Sequence, residues 1–214
     1  MNDLERALWR AGDHDDRAAV AARAFVERAD REGLINVAYT TVDAPVGELL
    51  VAGTSRGLVR VAFGGIPHEK VLLELAEDVS PRLIEAPARL DSIRRQLDEY
   101  FEGRRTRFEV GLDWRLTHGF ARRVLKHTAR IPYGDVSTYK SMAAAAGSPR
   151  GARAAGNALG ANPIPIVVPC HRVLHSGGGL GGYGGGLDRK ALLLELEGVT
   201  GPWARRQASR SGSR

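Results

Sequence analysis

A chain of 214 residues with a formal net charge of +6 and a pI near 9.9 suits one core or two small ones. Its single cysteine excludes an internal disulfide and a multi-cysteine zinc site, and no metal site is expected. No apolar run approaches the roughly 18 residues of a membrane span, and the acidic start, with Asp13, Asp15 and Asp16, lacks a secretory pattern. A cytoplasmic protein is expected.

The charge is unevenly spread. Residues 1–114 hold 16 Lys/Arg against 21 Asp/Glu, whereas residues 115–190 hold 11 against 2. Such asymmetry points to a basic half that meets a polyanion; a merely solvated basic face is the alternative.

Residues 1–34 read as a helical, alanine- and arginine-rich extension. Leu4 and Leu8 share a face, as do Val20 and Ala24, and Gly33 is a stop. A meander of short strands then runs through Val37–Val42, Glu48–Ala52 and Leu58–Phe63, with turns at Ala44-Pro45-Val46-Gly47 and Thr54-Ser55-Arg56-Gly57. Two helices follow; the second sets Leu90, Ile93, Leu97 and Phe101 on one face and ends at Gly103. Phe108, Val110, Leu112 and Trp114 alternate as in a half-buried strand. Residues 35–114 are therefore expected to form a small α+β domain, acidic and without a site of its own.

The basic half, residues 115–200, is expected to be mostly helical. A first helix carries Leu116, Phe120 and Val124 in a row and stops at Ile131, because the residue before Pro132 is pushed out of the α region. Ser137 or Thr138 caps a second helix ending at Gly147; Ser148 caps a third, from Pro149 to about Gly160. Two short helices joined by a glycine turn are a candidate helix-turn-helix. The last of them is almost bald, with Gly151, Ala152, Ala154, Ala155, Gly156 and Ala158 around Arg150 and Arg153. Such a surface fits close packing against a neighbouring helix. It equally fits a nucleic-acid groove, where small side chains let the backbone approach phosphates and sugars.

The apolar run Ile164-Pro165-Ile166-Val167-Val168 leads into Pro169-Cys170-His171-Arg172-Val173. A free thiol is often a small buried hydrophobe. A neighbouring base and cation, however, are what stabilise a reactive thiolate, and this stretch offers both. The glycine-rich run from Ser176 to Gly186 is either a linker or a loop wrapped about a ligand. Asp188 is expected to cap the following helix, with Leu187 and Leu192 as a hydrophobic staple and an end at Glu197-Gly198. The tail, residues 201–214, is basic, polar and expected to be disordered.

Taken in order, several of these pieces resemble the catalytic domain of the O6-alkylguanine-DNA alkyltransferases, the methylated-DNA–protein-cysteine methyltransferases. They are Ile131-Pro132-Tyr133-Gly134, Thr138-Tyr139, Ala152-Arg153-Ala154, Asn162-Pro163, Pro169-Cys170-His171-Arg172-Val173, Gly182-Tyr183, Gly185-Gly186-Leu187 and Leu196-Glu197-Gly198. Together they span residues 118–198, and the strand meander resembles the family's N-terminal domain more loosely.

The resemblance implies irreversible, single-turnover transfer of an alkyl group from O6 of guanine in double-stranded DNA to Cys170. No cofactor is implied, a monomer is expected, and O4 of thymine is left open as a second target. An unperturbed thiol, at a pKa of about 8.5, is only a few per cent ionised near neutral pH. The family pattern assigns its activation to His171, acting through a water and oriented by Glu197, with Glu195 the near rival. Tyr139 matches a tyrosine that assists the departing base at N3. Arg153 matches the arginine that replaces a flipped-out nucleotide in the stack, and Arg150 and Thr138 join it on the DNA-binding side. Asn162 is grouped with them, as the residue bracing the turn before the cysteine. Tyr183, Gly184 and the Val173 carbonyl are the implied substrate pocket. Gly184 stands where some members carry serine, which implies room for bulkier alkyl groups; Gly160-Ala161 stands where some carry a basic residue. The N-terminal cysteines with which some relatives bind zinc are missing. A DNA-binding regulator without chemistry and a cysteine hydrolase are the alternatives from other classes.

Overall fold

The computed structural model describes residues 20–22 and 24–201, so Leu4, Leu8 and all of the tail beyond Gly201 lie outside the described residues. A helix, α1, covers residues 24–31 and ends before Gly33, whose φ of 67° is left-handed. Four strands follow: β1 (Val37–Val42), β2 (Leu49–Thr54), β3 (Gly57–Phe63) and β4 (Leu83–Glu85), with helix α2 (His68–Asp78) before β4. They form one sheet in the order β3-β2-β1-β4, antiparallel except for the parallel pair β1–β4.

The meander is as expected; β4 was not foreseen, because three residues are too few to show a period. Along β2 the side chains alternate between two cores, Leu49 and Val51 on one side, Leu50 and Ala52 against Val71 and Leu75 of α2 on the other. The register of β3 breaks once. Ala52 pairs with Arg60 and Gly53 with Leu58, so Val59 is an extra residue. That bulge shifts the alternation by one and places Val61 and Phe63 in the larger core.

Helix α3 (Asp91–Phe101) buries Ile93, Leu97 and Tyr100. Residue 101, the expected face residue, is only partly buried; Tyr100 is the one fully enclosed. The expected strand through Phe108 and Trp114 reduces to one isolated bridge, Leu58 to Leu112, followed by a single 3-10 turn at Trp114–Leu116. Its alternation of half-buried and exposed positions runs from Phe108 to Leu112 and breaks at the buried Asp113, and one bridge is all the pairing found.

The basic half contains α4 (Gly119–Thr128), β5 (Ser137–Thr138), α5 (Tyr139–Ala145), α6 (Ala152–Gly160), β6 (Val173–Leu174) and α7 (Leu187–Leu196). Leu116 lies in the preceding turn, outside α4. Thr138 is the cap of α5, its Oγ1 accepting from Ser141 N at 3.1 Å. Two expected caps are corrected. Helix α6 begins at Ala152 after Gly151, with Ser148 closing a turn through Gly151 N at 2.8 Å. Helix α7 begins after Gly186, at φ 90°, so Asp188 sits inside the first turn, and Leu187 is half-exposed instead of stapled. A backbone with φ near 90° favours glycine, and that overrides the side-chain cap. On α6, Ala155, Ala158 and Leu159 are buried beside α4 and α5, while Arg153 and Asn157 face out. Close packing and an open basic face are both present, on opposite sides.

One core runs through both halves of the molecule, from Leu49 and Phe63 to Cys170 and Leu193. Polar links cross the same boundary: Val61 N donates to Pro163 O at 2.8 Å and Arg189 Nε to Val46 O at 2.6 Å. No described helix is long and apolar enough to cross a membrane.

Candidate functional site

The run Ile164–Val168 must turn sharply to deliver Cys170, and Ile166 does so at a φ of 73°. That is costly for a β-branched residue, on the order of 1–3 kcal/mol, and persists only where the surroundings over-determine it. Asn162 supplies the bracing. Its Oδ1 accepts from Ile164 N at 3.0 Å, and its Nδ2 donates to Val168 O at 2.8 Å and to Cys170 Sγ at 3.1 Å. All these bonds point inward, so Asn162, grouped in sequence with DNA-facing residues, is placed by the structure under the thiol.

Cys170 begins a 3-10 turn, Cys170–Arg172, that buries all three side chains. Burial pushes the Cys170 thiol up to about 11; the Asn162 amide, the Lys190 charge and nearby backbone N–H groups offset it only in part. The resting group is therefore a thiol, and a base has to take its proton.

His171 is fully buried, which lowers its affinity for a proton despite the adjacent Glu197 carboxylate. Its Nε2 lies 2.9 Å from Glu197 Oε1. Burial also works against an ionised Glu197, but hydrogen bonds and charge from His171 and Arg172 more than offset it and hold the carboxyl at about 2. An ionised carboxylate can only accept, so Nε2 carries the proton and Nδ1 keeps its lone pair. That Nδ1 is buried without a hydrogen-bond partner among the described residues. Arg172 grips Glu197 with both Nε and Nη2, each at 2.8 Å. Glu195, the rival in sequence, is exposed.

Two residues of the site carry no sequence signal. Tyr100, from α3, donates its hydroxyl to Glu197 Oε1 at 2.7 Å, so the acidic half is not the bare scaffold expected of it. Lys190 is fully buried, and desolvation lowers its pKa to about 8. Its ammonium donates to Val173 O at 2.7 Å, to Leu180 O, and at a longer 3.4 Å to Gly182 O, tying the glycine-rich loop to β6. A lysine on a helix with no apolar stripe to interrupt looks like surface; only the three carbonyls show its role.

Tyr139 opens α5 with its ring between Gly156 of α6 and the glycine-rich loop, where a Cβ at Gly181 would overlap its hydroxyl. The hydroxyl donates to Gly182 O at 3.2 Å, and burial keeps it protonated well into the alkaline range. Tyr139, Arg153, Asn157, His175 and Tyr183 line a cleft of about 620 Å³, a size that takes a small-molecule or nucleobase ligand. A second chamber, about 250 Å³, is lined by Cys170, Pro165, Gly184, Phe63 and Ile66. The two share Gly160, Tyr183 and Gly184. Gly184 matters less as empty space than as a close approach, because a Cβ there would stand 3.0 Å from Gly160 O. The edge of Phe63 packs on Tyr183 at 5.9 Å and leaves no room for a Cβ at Gly185, which would lie 2.6 Å from it. Arg150 is exposed before α6. Thr138 spends its oxygen on the α5 cap, and the Val173 carbonyl accepts from Lys190 while keeping a second lone pair.

A family model described as 6-O-methylguanine DNA methyltransferase, DNA binding domain, matches residues 119–199, and one for the ribonuclease-like domain of the same family matches residues 37–114. A methylated-DNA–protein-cysteine methyltransferase of Mycobacterium tuberculosis is 42% identical over 159 residues, 74% of this chain and 91% of that protein. The constitutive enzyme of that name from Bacillus subtilis is 36% identical over 166 residues, 76% and 96% of the two chains. A crystal structure of Mycobacterium tuberculosis OGT in complex with DNA superposes with a TM-score of 0.63 at 40% identity, covering 75% of this chain and 92% of that one.

Proposed function

The chain belongs to the 6-O-methylguanine DNA methyltransferase family, and we propose on that basis that it repairs DNA by moving an alkyl group from O6 of guanine to Cys170. The protein is consumed in the reaction and uses no cofactor. The observation that carries the reading is the fully buried His171, its Nε2 2.9 Å from Glu197 Oε1 and its buried Nδ1 without a hydrogen-bond partner among the described residues, next in the chain to the thiol.

In the proposed reaction His171 Nδ1 takes the Cys170 proton through a water, and the imidazolium that forms is stabilised by Glu197. The thiolate attacks the alkyl carbon; the S–C bond forms as the C–O6 bond breaks, and its electron pair leaves with the purine. Tyr139 assists by donating towards N3, a general-acid contribution that needs the phenol protonated, as burial keeps it. The larger cleft suits the base and the smaller chamber, with Cys170 in its wall, suits the alkyl group. O6 inside a duplex is out of reach, so the nucleotide must flip, at a few kcal/mol. Arg153, exposed at the start of α6, is proposed to fill the stack, and Arg150 and Thr138 are proposed as further DNA contacts.

The same proposal divides the chain into an extension (1–34), an α+β domain (35–114), a catalytic and DNA-binding domain (115–200) and a basic tail (201–214). The charge break near residue 115 supports that division. A cytoplasmic location and a monomer complete it, the first because a free nucleophilic thiol is kept reduced there. O4 of thymine remains a second substrate to be tried. Weighing the protein after incubation with O6-benzylguanine tests the chemistry: one permanent benzyl adduct is expected, whereas continued turnover supports a hydrolase and no change supports a binding protein.

A further inference from the structure

Tyr100 lies in α3, in the half of the molecule whose sequence shows no chemistry, and its side chain is fully buried. Its ring packs against Phe101 and Phe108, each at 5.3 Å between centroids, and Tyr133 at 6.1 Å. A phenylalanine would fill that space equally well, so packing does not explain the hydroxyl. The hydroxyl donates to Glu197 Oε1 at 2.7 Å, the oxygen that also holds His171 Nε2 and Arg172 Nη2. The other oxygen takes Arg172 Nε at 2.8 Å and, weakly, Gly134 N at 3.4 Å.

We infer that Tyr100 is a positioning residue for alkyl transfer: from the opposite half of the molecule it fixes Glu197 against His171 and tempers the negative charge that His171 meets. The inference rests on the transfer reading given above. Each donor on a carboxylate draws off part of its charge. Without the phenol, Glu197 holds the imidazolium more tightly, and His171 stays protonated, and unable to act as a base, to a higher pH. The groups facing His171 are Cys170 and Arg172 of its own turn, Lys190 and Glu197 from α7 and its end, and Tyr183 of the glycine loop. Tyr133 faces Glu197 and Arg172 from the loop after α4. Among the described residues, Tyr100 alone brings the N-terminal half to the carboxylate.

The experiment is the single-turnover rate of transfer from an O6-methylguanine duplex, followed across pH for the full chain. Tyr100→Phe is expected to slow transfer about tenfold at neutral pH, because Glu197, and through it the His171 ring, loses a bond that fixes its orientation. It is also expected to move the acid limb of the profile up by roughly half a unit. A second replacement keeps shape and packing: 3-fluorotyrosine at position 100 alone, a more acidic phenol and a stronger donor, is expected to move the limb down. A limb unmoved in both, or moved the same way by both, overturns the inference while leaving transfer to Cys170 intact. A wild-type protein that forms no adduct at all overturns the transfer reading, and this inference with it.

Discussion

The two halves of this molecule divide the work unequally, and their sequences advertise it unequally. The basic half carries the thiol, the base and the cleft in short local motifs; Cys170, His171 and Arg172 share one 3-10 turn. The acidic half carries no such motif, yet it sends Tyr100 to Glu197, Phe63 to the wall of the small chamber and Val46 O to Arg189. The thiol and its base are neighbours in this sequence. Groups that hold them can come from anywhere that folding brings near, and Tyr100 stands 97 residues from its partner.

Mutations can press on that division. Cys170→Ala should abolish transfer and leave binding to duplex DNA largely intact, since the groove-facing residues lie elsewhere; residual transfer would sink the assignment, because the chain has no other cysteine. Tyr139→Phe should slow reaction with duplex and with a free modified base alike, by roughly 10²-fold if general-acid help has its usual size. Arg153→Ala should slow repair of the duplex strongly and leave the free base unaffected, as only the duplex needs the stack refilled. Equal losses on both substrates would remove Arg153 from the flipping role.

The buried polar cluster joining the halves should also make the fold sensitive to acid. Both His171 and Glu197 bind protons less readily in the native state than in the unfolded chain. Stability is thus fully present above the ordinary histidine value of 6.5 and declines as pH falls, first through His171. Between 4.5 and about 2 Glu197 adds its own loss, on the order of 3 kcal/mol. Urea midpoints compared at pH 7, 5 and 3.5 would show it; a flat profile would contradict the ionisation states on which the relay depends.

The smallest effect is expected at Gly184→Ser. The added Cβ meets Gly160 O at 3.0 Å, so the loop must give by a few tenths of an ångström. Benzyl transfer should fall relative to methyl transfer by up to about tenfold, and an unchanged ratio would free Gly184 from any part in alkyl choice.

How much of this was legible in sequence follows the same split. The meander, α3 and α5 were readable because their signals are local: period, caps and turn residues. The start of α7 was misplaced because Gly186, at a φ of 90°, displaced the expected side-chain cap, and that of α6 because the Ser148 carbonyl closes a turn with Gly151 N and the helix begins only at Ala152. The strand at 108–114 was over-read, since alternation records half-burial and says nothing of a pairing partner. Within the site, Cys170, His171, Glu197, Asn162 and Tyr139 were all named from motif resemblance, and the bracing role it implies for Asn162 matches the bonds to Ile164 N and Val168 O. Tyr100 and Lys190 were missed altogether. In sequence Tyr100 is one more apolar residue on an amphipathic helix and Lys190 one more charge.

The most direct measurement is stoichiometric. An O6-methylguanine duplex is mixed with excess protein and then, separately, with less than one equivalent, and the protein is digested and weighed peptide by peptide. We expect one methyl group on the peptide containing Cys170 for each guanine restored, and repair that halts when the protein is spent. Methyl groups on another residue, or guanines restored beyond the number of protein molecules, would contradict transfer to Cys170.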